Sequence, residues 1–340
     1  MSSPRLITVY GATGAQGNSV IRSLQQNKTS SFTLRATTRN LSSIAAQELA
    51  AAGFEIVQAD GLDKASLVAA FKDSWGVFVN TDSSAASDGK GGSREVEIGW
   101  NLVDAAVEAG VEVFVYSGLK SAKRITGGKV EVEFFEQKTA IFEYALSKRP
   151  QFKSVVSVVA GWYIENFANE RFRDLIGGFP SQVDTSPEVK EKYGENMLVL
   201  HVPKWGGRED VPFIDITNDY GDIVHAVFLE PSVWDGKSIQ AVSDIRSWSD
   251  AVEAFQKVTH KNAIYQELPL DEFQTYGVWA LEMFKRMFEF FQVSGGEYYG
   301  ERTENGTAKG LKEKAWRARG NKEVGKLGTL EEYFGQHFRG

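Results

Sequence analysis

The sequence predicts an α/β fold: a doubly wound parallel sheet followed by a smaller C-terminal α+β lobe. Three observations predict it. Short apolar runs alternate with helical patterns over the first half of the chain, a glycine-spaced turn follows the first run, and the alternation weakens after residue 160. We therefore expect a sheet domain over residues 1–160 and, packed on it, a substrate- or partner-binding lobe over residues 161–340.

Six segments have the apolar, β-branched composition of buried strands, and helical patterns lie between them. The segments are 7–10, 32–37, 54–58, 76–80, 113–116 and 155–159. Right-handed crossovers place the carboxyl ends of parallel strands along one edge of a sheet. Every loop that could contact a ligand is therefore expected at that edge.

The second half of the chain has fewer regular patterns. Residues 247–257 and 280–293 read as helices, and residues 263–268 read as a short strand. The apolar residues of 280–293 are interspersed with charges, which is typical of a helix that faces a protein core rather than a membrane. Asp222 precedes an apolar helical pattern and is expected to be an N-cap without a chemical role.

The composition excludes several classes of function. The net charge of −7 argues against a chain-wide nucleic-acid surface. The chain has no cysteine, which excludes disulfides and thiolate chemistry, and its four histidines lack ligand spacing, so we expect no metal site. No apolar run approaches the roughly 20 residues that a membrane span needs. We expect a cytoplasmic protein, with a nuclear location as the alternative.

The first strand is followed by a turn with three spaced glycines. Gly11 can make the tight bend, Gly14 lets the backbone approach a pyrophosphate, and Gly17 lets the helix pack on the strand. The helix N-terminus supplies unpaired N–H donors to an anion. The sequence therefore predicts the dinucleotide-binding turn of a Rossmann fold rather than a plain strand-to-helix turn, with contacts from Gly11, Thr13, Gly14, Ala15, Gln16 and Gly17.

The ends of the second and third strands indicate which dinucleotide is bound. Arg39 follows the second strand, where a guanidinium suits the 2′-phosphate of NADP and an acidic residue would suit NAD. Asp60, Gly61 and Asp63 follow the third strand, where a carboxylate could contact adenine. Either aspartate could equally cap the next helix.

Small polar residues follow the fourth and fifth strands. Thr81, Asp82 and Ser83 can approach the ribose and the pyrophosphate. Ser117 lies at the same edge, where its hydroxyl could bind substrate or its own backbone.

Together these segments resemble the NmrA-like proteins, atypical members of the short-chain dehydrogenase superfamily. The resemblance rests on the glycine turn and on Thr38-Arg39-Asn40, Val115-Tyr116-Ser117-Gly118-Leu119, Phe135-Glu136-Gln137-Lys138 and Tyr163-Ile164-Glu165-Asn166. It implies that NADP(H) is the cofactor, that Arg39 and the glycine turn bind its phosphates, and that Lys138 lies on the nicotinamide ribose. It also implies that the nicotinamide end is lined by Tyr163, Ile164, Glu165 and Asn166.

The superfamily's usual catalytic pair, Tyr-x-x-x-Lys, is incomplete in this chain. Phe134 stands four residues before Lys138 and has no proton to give. A literal match ends at Lys148, close to the end of the helix, so Tyr144 is a poor candidate. The candidate catalytic residues are Lys138, Ser117 and Tyr163, whose phenol could replace the missing acid.

Two functions are consistent with these residues. Phe134 favours an NADP(H)-binding redox sensor or regulator. The alternative is an NADPH-dependent reductase of a small carbonyl or aromatic metabolite. The expected partners are NADP(H) and either a small-molecule substrate or a regulatory protein, with no nucleic acid or membrane as a direct partner. A homodimer remains open.

Overall fold

The computed structural model describes residues 4–29, 31–82 and 93–339. The strands in these ranges are β1 (Arg5–Tyr10), β2 (Phe32–Thr38), β3 (Glu55–Gln58), β4 (Gly76–Val79), β5 (Val113–Tyr116), β6 (Ser154–Ala160), β7 (Trp162–Tyr163), β8 (Leu198–Val202), β9 (Val211–Ile214), β10 (Ser238–Ala241), β11 (Asp244–Arg246) and β12 (Ala263–Glu267). The α-helices are α1 (Ala15–Gln25), α2 (Ile44–Ala51), α3 (Lys64–Phe71), α4 (Glu95–Glu108), α5 (Ala122–Ile125), α6 (Glu133–Ser147), α7 (Glu170–Leu175), α8 (Pro187–Tyr193), α9 (Gly221–Leu229), α10 (Pro231–Trp234), α11 (Trp248–Thr259), α12 (Trp279–Val293), α13 (Gly306–Ala318) and α14 (Leu330–His337).

Seven strands form one parallel sheet in the order β10–β6–β5–β4–β1–β2–β3. The direction of winding reverses between β1 and β4, and in such sheets ligands bind in the crevice outside the strand ends at that point. The predicted doubly wound sheet and its six strands are confirmed. The sequence did not indicate the seventh strand, β10, which pairs with β6.

Helices cover both faces of the large sheet. Helices α1, α9 and α13 pack together on one face, and α3, α4 and α6 pack on the other. Strand β10 and helix α9 both follow residue 160 in the chain. The second half of the sequence thus contributes to the sheet domain as well as to the smaller lobe.

The smaller lobe has an aromatic core. Its strands form the sheets β11–β9–β7 and β12–β8, and helices α11, α12 and α14 surround them. Trp205 stacks on Phe291 with ring centroids 3.8 Å apart, and Trp162 meets Trp205 edge to face at 5.9 Å. The helix predicted over 280–293 is present, and its apolar side faces this core.

The N-cap prediction for Asp222 is wrong. Asp222 lies inside α9, where its buried carboxylate accepts a hydrogen bond of 2.6 Å from Ser23 and pairs with Arg319 and, at 3.0 Å, with Lys312. The sequence around Asp222 could not reveal this pairing, because its partners lie some 90 residues later. Lys312 belongs to α13, and Arg319 is the C-cap of that helix. In the described ranges, no helix is both long and apolar enough to cross a membrane.

Candidate functional site

A cavity of about 670 Å³ lies at the point where the winding of the large sheet reverses. The ends of β1, β2, β4, β5 and β6 open into it, together with α6 and the start of α12. The lining residues are Tyr10, Gly11, Thr13, Gly14, Gln16, Thr37, Thr38, Arg39, Ala59, Asn80, Thr81, Asp82, Ile98, Ser117, Gly118, Leu119, Phe134, Lys138, Ala160, Gly161, Tyr163, Trp279, Ala280, Met283 and Tyr298.

The glycine turn forms one wall of the cavity. Two of its positions differ in why they are occupied by glycine. A Cβ at Gly17 would lie 2.2 Å from the carbonyl oxygen of Gly11, so the turn itself requires glycine there. A Cβ at Gly14 would lie 3.4 Å from the same oxygen, an ordinary distance, so the protein alone does not require this glycine. We infer that Gly14 keeps space for a ligand.

The N-terminus of α1 fits an anionic ligand. The first N–H groups of a helix have no partner within the helix, and no side chain caps α1 at Gly14. Together with the space above Gly14, these N–H donors match the needs of a dinucleotide pyrophosphate. The buried side-chain oxygen Oε1 of Gln16 also has no hydrogen-bond partner among the described residues, and as an acceptor it suits a donor such as a ribose hydroxyl rather than a phosphate.

Arg39 lines the part of the cavity where strands β1 and β2 end. Burial raises the pKa of the neighbouring Tyr10, and the Arg39 guanidinium opposes this rise. A guanidinium beside a phenol offers a charged donor group and an aromatic surface, both of which suit the phosphorylated adenosine half of NADP.

Lys138 is held in the opposite wall by a buried polar cluster. Its ammonium donates to the carbonyl oxygen and the hydroxyl of Thr81, at 2.8 and 3.0 Å, and pairs with Glu95 Oε1 at 2.9 Å. The hydroxyl of Thr81 donates to the same Glu95 oxygen at 2.6 Å and lies 3.0 Å from the phenol of Tyr116. Burial is the main reason that the pKa of Tyr116 is raised well above its ordinary value.

Tyr163 lines the cavity next to the glycine turn. The side-chain amide of Gln16 donates a hydrogen bond of 2.5 Å to its phenol oxygen. Desolvation raises the pKa of Tyr163 to about 12, and the bond from Gln16 acts in the opposite direction. The phenol is therefore protonated throughout the neutral range and can act as an acid.

The remaining wall is apolar and reaches into the smaller lobe. It consists of Leu119, Phe134, Trp279, Ala280, Met283 and Tyr298. Trp279, Ala280 and Met283 lie in the first turns of α12, a helix that the sequence assigned to core packing alone. Both roles coexist because Phe284, Phe288 and Phe291 are buried on another side of the same helix.

The structure brings most of the predicted residues to this cavity. Those that line it are Gly11, Thr13, Gly14, Gln16, Arg39, Thr81, Asp82, Ser117, Lys138 and Tyr163. Ala15 and Gly17 belong to the first turn of α1 but do not line the cavity. Ser83 falls outside the described residues.

The residues predicted after the third strand have structural partners. Asp63 caps α3 by accepting hydrogen bonds from the backbone N–H groups of Ala65 and Ser66. Of the two roles expected for it, a helix cap or a contact to adenine, this geometry corresponds to the cap. The carboxylate of Asp60 accepts from Leu62 N–H at 2.9 Å, and the carbonyl of Gly61 accepts from Asn101 at 3.0 Å. Ala59, not these residues, lines the cavity.

The residues predicted after Tyr163 turn away from the cavity. Ile164 is buried in the aromatic core. Glu165 accepts hydrogen bonds of 2.8 Å from the backbone and hydroxyl of Thr217, and the carbonyl of Asn166 accepts from Asn169 N–H at 3.2 Å. A short 3₁₀ turn over Ile164–Phe167 redirects the chain here, which a linear motif could not indicate.

Sequence reasoning missed Glu95, the partner of Lys138. The available signal was its spacing: Glu95 precedes Gly99, Leu102 and Ala106 on the face of α4 that is buried. Glu97, two residues later on the same helix, is exposed and pairs with Arg94 at 2.7 Å. Across residues 4–29, 31–82 and 93–339, no group of three or more His, Asp or Glu side chains could hold a metal ion.

Fold and cavity together define a Rossmann-type α/β protein with a ligand site at the switch point of its sheet. A model of the NmrA-like family matches residues 3–334, and the chain belongs to that family. The NmrA-like family domain-containing oxidoreductase hkm9 of Aspergillus hancockii is 43% identical over 340 residues, covering 99% of this chain and 98% of that protein.

Solved structures share the fold at lower identity. The negative transcriptional regulator NmrA in complex with NAD has a TM-score of 0.73 at 22% identity, covering 99% of this chain and 96% of that chain. The Escherichia coli NADPH-dependent quinone oxidoreductase QOR2, complexed with NADPH, has a TM-score of 0.65 at 20% identity, covering 98% and 99% of the two chains.

Proposed function

We propose that this protein binds NADP(H) in the cavity and catalyses the NADPH-dependent reduction of a small carbonyl or aromatic metabolite. One observation carries the proposal: a single cavity is lined by the glycine turn, Arg39, Lys138, Tyr163 and an apolar wall on α12. Such a cavity has room for a cofactor at one end and an apolar substrate at the other. The oxidoreductase name of the relative that is 43% identical supports the same class.

The cofactor-binding residues follow from the geometry. The N-terminus of α1 and the Gly11–Gly14 backbone would bind the pyrophosphate, and Arg39 the 2′-phosphate. Lys138, whose position is fixed by Thr81, would lie beside the nicotinamide ribose. Ser117 follows β5 and lines the cavity, and we assign it to the polar atom of a substrate, for which its hydroxyl would exchange its present hydrogen bond with Tyr220. NADPH, when bound, supplies a hydride to an electrophilic carbon of the substrate.

The chain itself must supply the proton. Reduction of a carbonyl adds a hydride to carbon and a proton to oxygen, and Phe134 cannot donate one. Tyr163 can, because Gln16 donates to its oxygen and its high pKa keeps the phenol protonated at neutral pH. An alkoxide is a stronger base than the phenolate left behind, so the proton transfer is downhill.

Turnover tests this proposal. Purified protein with NADPH is mixed with a panel of aldehydes, ketones and quinones, and the loss of NADPH absorbance is followed. We expect saturable consumption on the order of 1 s⁻¹ or faster with at least one apolar carbonyl compound. NADPH that is bound tightly but not consumed by any compound would contradict the reductase.

The position of Phe134 on the cavity wall favours a second candidate, a sensor that binds NADP(H) without turning it over. A sensor must change a surface when the cofactor binds. The discriminating observation is protection from limited proteolysis that differs between NADPH and NADP⁺, in a protein that consumes no NADPH.

A further inference from the structure

The pair formed by Glu95 and Lys138 is among the most enclosed ion pairs in the described part of the chain. Glu95 is completely buried, and the Lys138 side chain is 10% exposed. Removing two such charges from water costs several kcal/mol per ion, which good geometry only partly offsets. We therefore expect the pair to contribute little to the stability of the fold. We expect it to matter instead for the position of a side chain at the cavity.

The contacts of Lys138 show what is fixed. An ammonium has three N–H donors, and three acceptors surround this one: the Thr81 carbonyl, the Thr81 hydroxyl and Glu95 Oε1. The other carboxylate oxygen of Glu95 has no hydrogen-bond partner among the described residues. The carboxylate is thus engaged only on the side where Lys138 and Thr81 lie.

Other ionisable groups also face this ammonium. Tyr116 on β5 places its ring 5.7 Å from Lys138 Nζ, and its phenol bonds to Thr81. Asp82, which follows Thr81, lines the same cavity. Glu95 is the carboxylate in direct contact with the ammonium, so it is the group whose removal should alter the position of Lys138.

We propose that Glu95 is the positioning residue of this site, which acts with Thr81 by holding the ammonium of Lys138 at a fixed place on the cavity wall, beside the proposed position of the cofactor. The inference rests on the proposed binding of NADP(H), but not on turnover. Without the carboxylate, one of the three N–H donors of the ammonium loses its acceptor, and the side chain is free to leave this position. A displaced ammonium no longer matches the cofactor.

Cofactor affinity tests the inference, using fluorescence titration of the full chain with NADPH at neutral pH. Glu95→Gln should weaken binding by about tenfold or more, because the ammonium of Lys138 is no longer held beside the cofactor. Glu97→Gln is the matched control, because Glu97 is exposed on the same helix and should behave as wild type. Glu95→Asp should recover part of the loss.

A double variant separates positioning from a general structural effect. If Glu95 acts through Lys138, Lys138→Met should bind NADPH weakly, and Glu95→Gln in that background should weaken it no further. An additional loss in the double variant, or a Glu95→Gln affinity equal to that of wild type, would overturn the inference. NADPH binding without turnover would contradict the reductase alone, whereas a wild-type protein that binds no NADPH would contradict both proposals.

Discussion

The side-chain amide of Gln16 donates a hydrogen bond of 2.5 Å to the phenol oxygen of Tyr163. Gln16 lies in the first turn of α1, and Tyr163 ends β7; both line the cavity. Because an amide N–H can only donate, the phenol proton points elsewhere. This bond therefore links the glycine turn to a group that can protonate a substrate.

We expect Tyr163→Phe to lower turnover by about 10²–10⁴-fold, the usual contribution of a general acid. NADPH affinity should change little, because the lost hydroxyl accepts from Gln16 rather than contributing charge. Steady-state kinetics and fluorescence titration measure the two effects separately.

The control for Tyr163 is Tyr144→Phe. Tyr144 belongs to the literal Tyr-x-x-x-Lys match, but its phenol donates to Asp104 at 2.7 Å and lies outside the cavity lining. Turnover should survive this change. If Tyr144→Phe abolishes activity and Tyr163→Phe does not, our assignment of the acid is wrong.

Arg39 should determine the choice between NADPH and NADH. A charge-assisted phosphate contact contributes about 1.5–3 kcal/mol, so Arg39→Ala should reduce the preference for NADPH by about tenfold or more. NADH affinity should be nearly unchanged. Calorimetry with both cofactors checks this, and equal affinities in wild type would refute the role of Arg39.

Two glycines of the turn should respond differently to a side chain. Gly14→Val should leave the protein folded and weaken NADPH binding by about tenfold or more, because only ligand space is filled. Gly17→Ala should instead destabilise the fold by about 1–3 kcal/mol, because its Cβ meets the Gly11 carbonyl. Denaturant unfolding together with NADPH titration distinguishes the two results, and a stable Gly17→Ala variant would contradict the geometry.

Acid sensitivity should arise in part at His225. This residue is fully buried between Ser23 and Asn27, at 3.1 Å from each, and burial lowers its pKa to about 4. The unfolded chain binds a proton near pH 6.5 and the folded chain does not, so stability should fall as the pH drops from about 6.5 to about 4. Between pH 7 and pH 5 the loss should be about 2 kcal/mol.

Denaturant unfolding at these two pH values tests the assignment. In His225→Gln the loss of stability between these pH values should be smaller by about 2 kcal/mol than in wild type, although the variant is less stable at pH 7. His337→Gln, which alters a surface helix end, should keep the full dependence. If the free energy of unfolding of His225→Gln falls between pH 7 and pH 5 as much as that of wild type, the acid sensitivity arises at other residues.

The sequence predicted the parts of this protein that depend on local patterns. Alternation of apolar strands and helices predicted the sheet, and the spacing of Gly11, Gly14 and Gly17 predicted the turn at its switch point. Arg39 and Ser117 were found because each follows a recognisable strand at the ligand edge, and Lys138 because the resemblance to the NmrA-like family implies its role. All three line the cavity.

Features that depend on long-range packing could not be predicted in this way. Glu95 looks like an ordinary acidic residue at a helix start until Lys138, 43 positions later, is placed against it. Asp222 looked like a cap because its cations are about 90 residues away. Trp279 and Met283 lie on a helix whose apolar pattern fits core packing, and only the tertiary fold shows that one end of it lines the cavity.

Isotope transfer tests the central claim, reduction at this cavity, most directly. The protein is given NADPH deuterated at C4 of the nicotinamide, on either face, together with a carbonyl compound, and the product is analysed by mass spectrometry and NMR. We predict one deuterium on the former carbonyl carbon, from one face of the cofactor only, and loss of product formation in Tyr163→Phe. A product without deuterium, or NADPH recovered intact after prolonged incubation with every carbonyl compound, would contradict this account.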